Sequence, residues 1–291
     1  MSNYLEISTI KKDIGLEDKL LARDGTVEEK KNVIYKSNSN VANALEIFHQ
    51  KLEWDKDGPR KADLKFNEKY LTPSPLSKEE IQSLIACSIR YEDHDKFSSL
   101  IGGFVSFHIQ SSYNNGSNNF DLDFSILDKE DPRRRINYLG SYLQGKRKNK
   151  LKLNIKGNFA NYIVMQSSHV EATIDGDVGH SAFQKSRNSR LIVNGNAHSL
   201  VGNHLENCEV LINGSVYGRS GEESWRSTFM YGSDVDGRCG KGSALCKYVF
   251  SDYDSMLKQN IPMFNSVYTV ENKESIRRFP RFLQLKDWVN K

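Results

Sequence analysis

Between residues 151 and 220 the apolar and polar positions recur with a period that belongs neither to a helix nor to a hairpin. From Leu153 the chain falls into rows of nineteen residues that open LNIKGNF, ATIDGDV, LIVNGNA and VLINGSV. The third position of each row is β-branched (Ile155, Ile174, Val193, Ile212) and the fifth is glycine (Gly157, Gly176, Gly195, Gly214). The sixth is Asn, Asp, Asn or Ser, and the seventh is apolar (Phe159, Val178, Ala197, Val216). Four positions held in register over four rows without an insertion mark an internal repeat. Asn194-Gly195 and Asn213-Gly214 read locally as hairpin turns, but antiparallel hairpins require no fixed period. A parallel solenoid does require one: each row is a coil, and equivalent residues stack about 4.8 Å apart. The glycine then marks a corner that needs positive φ or close backbone approach, and the Asn or Asp beside it tolerates left-handed geometry and caps the turn.

Stacking predicts ladders. Position nineteen reads Glu171, Arg190, Glu209, position four begins Lys156, Asp175, and position seventeen puts Asn188 over Asn207. Opposite charges on neighbouring strands contribute about 0.2–1 kcal/mol each, so these pairs set register more than stability.

These rows resemble the glycine-rich (GXGXG-type) repeat of the C-terminal β-helical domain of the glutamate synthase large subunit, a repeat that also builds one of the subunits of formylmethanofuran dehydrogenase. IDGDVG, with Gly176 and Gly179, fits that pattern, and the next rows keep Gly195, Gly202 and Gly214. His198 stands where a second glycine is usual, Asn207-Cys208 replaces a glycine pair, and the first row keeps only Gly157. The resemblance implies a right-handed parallel β-solenoid. It also implies a structural role, bracing other domains or subunits, and it supplies no catalytic residues. It covers about a quarter of the chain, and the glutaminase, flavin and iron–sulfur elements of glutamate synthase have no counterpart.

The flanks read differently, and the whole is expected to be an α+β protein. Residues 1–130 form a mostly α-helical region. Val41, Leu45, Phe48 and Leu52 lie at helical spacing; Ser77 and Glu80 make a capping box with Leu76 and Ile81 as a hydrophobic staple; a further helix over 95–111 carries Gly102-Gly103 at a close contact. FDLDFSIL alternates as a half-buried strand after the loop YNNGSNNF. Residues 131–250 form the solenoid, with regular coils over 153–216 and degenerate coils on either side, because Ser233 stands where the next corner glycine is due. Residues 251–291 are expected to be a helical cap, chiefly 272–290, kinked at Pro280.

The chemistry is sparse. Of 291 residues 37% are apolar, and the formal charge of +4 permits acidic partners without requiring them. Cys87, Cys208, Cys239 and Cys246 are too scattered for a disulfide framework and read as reduced thiols. The N-terminal residues lack a signal-peptide core, and LIGGFVSFHI, the longest apolar stretch, falls short of a membrane span. A cytoplasmic protein without membrane contact is expected. Asp121 and Asp123 form a D-x-D that alternation places on the solvent face of a strand. RCGKGSALCK fits neither a phosphate loop nor a zinc knuckle and reads as a flexible loop, with Cys239, beside Arg238 and Lys241, its most reactive thiol and Cys246 its second. His180 and His198 become neighbours across two coils, with Asp177 nearby, as a candidate acid–base pair or metal site. GRSGE misses a nucleophile elbow by one residue. No catalytic constellation or cofactor motif is complete.

Three functional readings follow. The first is a non-catalytic scaffold or structural subunit, with a protein partner or homo-oligomer. The second is an enzyme or enzyme subunit with a site near 237–247 or at His180 and His198. The third is a nucleic-acid-contacting protein using the basic turn 146–152, with Tyr138 and Tyr142 available for stacking.

Overall fold

The structure is a computed structural model that describes residues 39–54, 75–127 and 134–269. In chain order it contains α1 (Ser39–Trp54), α2 (Lys78–Ser88), α3 (Phe97–Asn114) and β1 (Asn119–Asp123). Then come β2 (Leu151–Lys156), β3 (Val170–Asp175), β4 (Arg190–Val193), β5 (Glu209–Ile212), β6 (Val216–Tyr217), β7 (Thr228–Tyr231), β8 (Val235–Asp236) and β9 (Lys247–Phe250). A short α4 (Tyr253–Leu257) and β10 (Ser266–Thr269) follow.

The chain is a parallel β-solenoid with a helical layer at one end. Eight strands form one parallel sheet in the order β1-β2-β3-β4-β5-β7-β9-β10. From β2 onward every pairing is offset by nineteen residues: Glu171 faces Lys152 and Arg190, Arg190 faces Glu209, Thr228 faces Lys247, and Lys247 faces Ser266. The other sides of the coil are held by β6 and β8 and by single bridges such as Val178–Ala197, Ser220–Cys239 and Arg187–Glu206. Position three points inward throughout, and Tyr231 and Phe250 fill it as fully as Ile174 or Val193.

The coils expected to be degenerate after 216 therefore stack in the same register as the regular ones. Inward position three needs apolar volume rather than β-branching, and an aromatic ring supplies it. Phe229 and Tyr248 stack at 5.0 Å with 5° between their planes, and Tyr231 packs on Phe250 at 5.3 Å. The segment expected as a helical cap opens with α4 but then carries β10, one more rung of the sheet. The helix expected over 272–290 lies outside the described residues.

The corner glycines are required mainly by contact. A Cβ on Gly195 would stand 2.6 Å from the Gly176 carbonyl oxygen, and one on Gly214 2.6 Å from that of Gly195. Only Gly157 and Gly176 of the four also have positive φ, at 133° and 150°. The left-handed backbone sits elsewhere in the coil, at positions ten, twelve, fourteen and seventeen, and mostly at residues with side chains. Of the described residues, sixteen other than glycine adopt positive φ, Val164 and Phe183 included. Each costs about 1–2 kcal/mol locally, so stacking imposes this backbone against local preference.

Polar side chains extend the stacking. Asn158 Oδ1 accepts the Asp177 N–H at 2.9 Å, Asp177 Oδ1 that of Asn196 at 2.7 Å, and Asn196 Oδ1 that of Ser215 at 2.9 Å. Inside, Ser189 Oγ accepts from Val170 N–H and Ser227 Oγ from Cys208 N–H, so buried backbone donors are satisfied one coil on.

The helical layer shares its core with the solenoid: one continuous apolar cluster runs from Val41 to Phe250. Val41, Leu45, Phe48 and Leu52 are buried along α1, and the Ser77–Glu80 capping box opens α2. A Cβ on Gly102 of α3 would lie 2.1 Å from the Asn137 carbonyl oxygen, which is why glycine sits at that position. Ser106 Oγ accepts the Gly140 N–H at 2.7 Å. The outer edge of β1 is closed by Gln82, whose amide both donates to the Asp123 carbonyl and accepts its N–H, covering an edge that would otherwise pair with another chain.

Two predictions follow from this packing. Gly195→Ala forces a methyl group onto a stacked carbonyl and should destabilise the protein by about 1–3 kcal/mol, read as a lower urea midpoint; an unchanged midpoint would mean the corners are slack. His108 in α3 is 1% exposed, and its Nε2 has no hydrogen-bond partner among the described residues. Burial pushes its pKa from the ordinary 6.5 down to about 4. The unfolded chain therefore takes up the proton first. Stability is full above pH 6.5, falls as the pH drops toward 4, and the loss reaches on the order of 3 kcal/mol below that. Urea melts across this range should show that slope in the wild type and not in His108→Leu.

Candidate functional site

The larger of the two sheets among the described residues has eight strands, and on its outer face alternate side chains leave the core. Three rows run along the solenoid axis. The first reads Asn119, Lys152, Glu171, Arg190, Glu209, Thr228, Lys247. The second reads Asp121, Asn154, Thr173, Ile192, Leu211, Met230, Val249, Tyr268, turning from polar to apolar at β4. The third carries Asp123, Lys156 and Asp175 and then Asn194 and Asn213, whose side-chain amides bond at 2.7 Å.

The charge ladder stands as a chain of pairs. Lys150 Nζ lies 2.8 Å from Glu171, and Arg190 Nε lies 3.6 Å from Glu209, an ion pair too long for a hydrogen bond. The hydrogen bond from Lys150, with the charges of Lys150, Lys152 and Arg190 behind it, holds the Glu171 carboxyl below its ordinary pKa against the opposing effect of partial burial. These groups rim an open depression of about 150 Å³ lined by Asn119, Lys152, Asn154, Glu171, Arg190 and Ile192. Pockets that enclose a small molecule measure about 300–1,000 Å³, so this one suits a protruding side chain of a docked surface better.

The other sequence-derived candidates fall elsewhere. Residues 237–247 are no flexible loop but one side of a stacked coil, with Gly240 N–H bonded to the Ser220 carbonyl and Ala244 N–H to that of Ser224. Cys239 is 2% exposed, and burial pushes its thiol up to about 12 despite a hydrogen bond from Tyr231. The flanking cations Arg238 and Lys241 point to solvent, away from it. Burial likewise pushes Cys208 up to about 12 and raises Cys246. Both occupy the coil position of Ser189 and Ser227, and Cys246 Sγ accepts the Ser227 N–H at 3.5 Å. The nineteen-residue spacing of 189, 208, 227 and 246 in the sequence carries that signal, which reading the cysteines as a pair of their own obscures.

His180 and His198 do meet, with ring centroids 5.7 Å apart, and Tyr217 continues the column 5.6 Å beyond His198. All three are exposed. Asp177 is engaged in the corner ladder, and no group of three or more metal-ligating side chains occurs among the described residues. Asp121 accepts from Asn154, while Asp123 caps Ser125 and pairs with Lys156 at 3.5 Å, so the D-x-D closes the first rung of the sheet. Asn188 and Asn207 are left-handed corner residues, and the amide bond expected of them forms at Asn194 and Asn213 instead. Tyr138 and Tyr162 stack on each other at 4.9 Å with 10° between planes, which occupies one face of each ring.

No protein-family model, curated protein or solved structure matches the chain. No helix among the described residues is long and apolar enough to cross a membrane. The burial of the thiols gives a direct check. In the native protein Cys87, Cys208, Cys239 and Cys246 should resist a thiol-specific disulfide reagent at mildly alkaline pH, and all four should react once guanidinium unfolds the chain. Rapid native labelling of Cys239 would contradict the packing described.

Proposed function

We propose that the protein is a non-catalytic scaffold that docks a protein partner on the outer face of its parallel sheet. The observation that carries this reading is the half-buried apolar row Ile192, Leu211, Met230, framed by the charge ladder on one side and the Asn194–Asn213 amides on the other. Apolar contacts in the centre with polar pairs at the rim are the anatomy of a protein interface. The face is rigid because each of its side chains stands on a backbone bonded to both neighbouring coils. The resemblance of the repeat to the bracing domain of glutamate synthase supports the same role, and four unpaired thiols fit a reducing, cytoplasmic setting.

The test is affinity capture from nuclease-treated extract of the cells that express the protein, followed by mass spectrometry. A stoichiometric protein should be retained by the wild type and lost from Leu211→Lys/Met230→Lys, with the melting temperature of the variant close to that of the wild type. A wild-type protein that stays a lone monomer would sink the reading.

A further inference from the structure

A second surface lies where the first, irregular coil meets α3, and its chemistry differs from that of the apolar row. After Gln144, which bridges to Ser168, the chain leaves the coil in a tight hairpin. Lys146 N–H donates to the Asn149 carbonyl at 3.2 Å, Asn149 N–H donates to the Lys146 carbonyl at 3.0 Å, and Arg147-Lys148 forms the tip. The hairpin is clamped from below. The hydroxyl of Tyr113, a residue 5% exposed at the end of α3, accepts the Lys146 N–H at 2.8 Å and donates to the Asn149 carbonyl. Asn118 Nδ2 donates to Asn149 Oδ1 at 2.6 Å. A short basic turn on its own would be a loose tether. This one is held at both backbone ends and presents its cations in one place.

Among the described residues the charge at this corner is only partly compensated. Neighbouring cations are matched by carboxylates: Lys150 with Glu171 at 2.8 Å, Arg187 with Glu206 at 3.2 Å and Arg190 with Glu209 at 3.6 Å. Lys146, Arg147 and Lys148 are exposed and make no ion pair among the described residues, and Lys152 stands exposed beside Glu171, which Lys150 already holds. Around them the exposed side chains are amides, Asn114, Asn115 and Asn149. The exposed apolar residues Trp225 and Leu245 belong to coils further along the solenoid. A protein partner would want an apolar centre to bury, and none is offered here. A chain of phosphates wants cations and N–H donors, and both are present.

We propose that the clamped hairpin Lys146–Asn149, with Lys152, is a contact site for the phosphate backbone of nucleic acid. It goes beyond the docking face and does not rest on it. The site reads phosphates rather than bases, since the hairpin Lys146–Asn149 carries cations and an amide and no aromatic ring. Binding is therefore indifferent to sequence.

The experiment is fluorescence anisotropy with labelled mixed-sequence RNA and DNA oligonucleotides, using the full chain over about 50 to 200 mM salt. The wild type should bind at low salt and weaken as salt rises, with a log–log slope of about −2 to −4 for the three or four phosphates engaged. Lys146→Gln/Arg147→Gln/Lys148→Gln should lose at least roughly tenfold in affinity and reduce the slope by about 2 to 3. Arg238→Gln/Lys241→Gln, on a later coil, should match the wild type. Circular dichroism checks that each variant is folded, and the wild-type salt slope stands as a readout that needs no variant. The proposal is overturned by absence of binding at low salt, by equal binding of the wild type and the triple variant, or by a polyglutamate peptide that competes as well as RNA at equal charge.

Discussion

The structure depends on one constraint: from β2 onward the strand pairings repeat every nineteen residues, so backbone donors and acceptors find their partners in the coil before or after. Val178 N–H reaches the Asn196 carbonyl, Ala197 N–H that of Ser215, and Val216 N–H that of Asp234. Each such bond is worth little on its own, about 0.5–1.5 kcal/mol, whereas a buried group left unpaired costs more. A coil of eighteen or twenty residues would strand a whole side of the solenoid at once. That asymmetry explains how side-chain-bearing residues such as Val164, Phe183 and Leu200 are held in the left-handed region. Their local cost is offset because any other backbone would break the stack on both sides.

The same constraint sorts the side chains by what they can do. Positions facing the core repeat only their size and their ability to satisfy a backbone donor, so Ser189, Cys208, Ser227 and Cys246 exchange freely along one line. Thiols in that line are packing groups, and burial removes them from chemistry. Positions facing outward are under no such demand, and there the middle row changes character along the axis, polar from β1 to β3 and apolar from β4 onward, while the rows beside it stay charged or amide-bearing. The surface therefore holds whatever specificity the molecule has, and the interior holds only its pitch.

The pitch, the corner glycines and the charge ladder are legible in the sequence because each repeats a residue type at a fixed spacing. The capping box of α2 and the close approach at Gly102 are legible because they are local. What stays hidden shares a cause. The coils after 216 keep the geometry while changing the residues, since Tyr231 and Phe250 fill the space of Ile174 and Val193 with a different shape. The left-handed positions carry Tyr, Val, Phe, Lys and Leu, residues with no preference for that backbone, so composition does not mark them. Cys239 reads as reactive because Arg238 and Lys241 adjoin it in sequence. In the coil, however, Cys239 faces the core while Arg238 and Lys241 are exposed. The outer face is hidden for a related reason: its rows exist only after stacking, with members nineteen residues apart.

A solenoid also fixes distance. Lys152 stands on β2 and Met230 on β7, four strand steps along one sheet, which at about 4.8 Å per step is about 19 Å. Domains joined by a linker would let that separation vary over nanoseconds to milliseconds; here it is set by stacked backbone and shares one core with the helical layer. The basic hairpin is tied to the same frame through Tyr113 at the end of α3. A polyanion held at the hairpin and a protein held on the apolar row would thus keep a fixed separation and a fixed relative orientation. Neither surface needs to be strong for that to matter, because a partner that carries both complementary features gains from an effective concentration set by geometry rather than by diffusion. A rigid repeat with two chemically distinct surfaces is suited to such a ruler, and its buried thiols cost that role nothing.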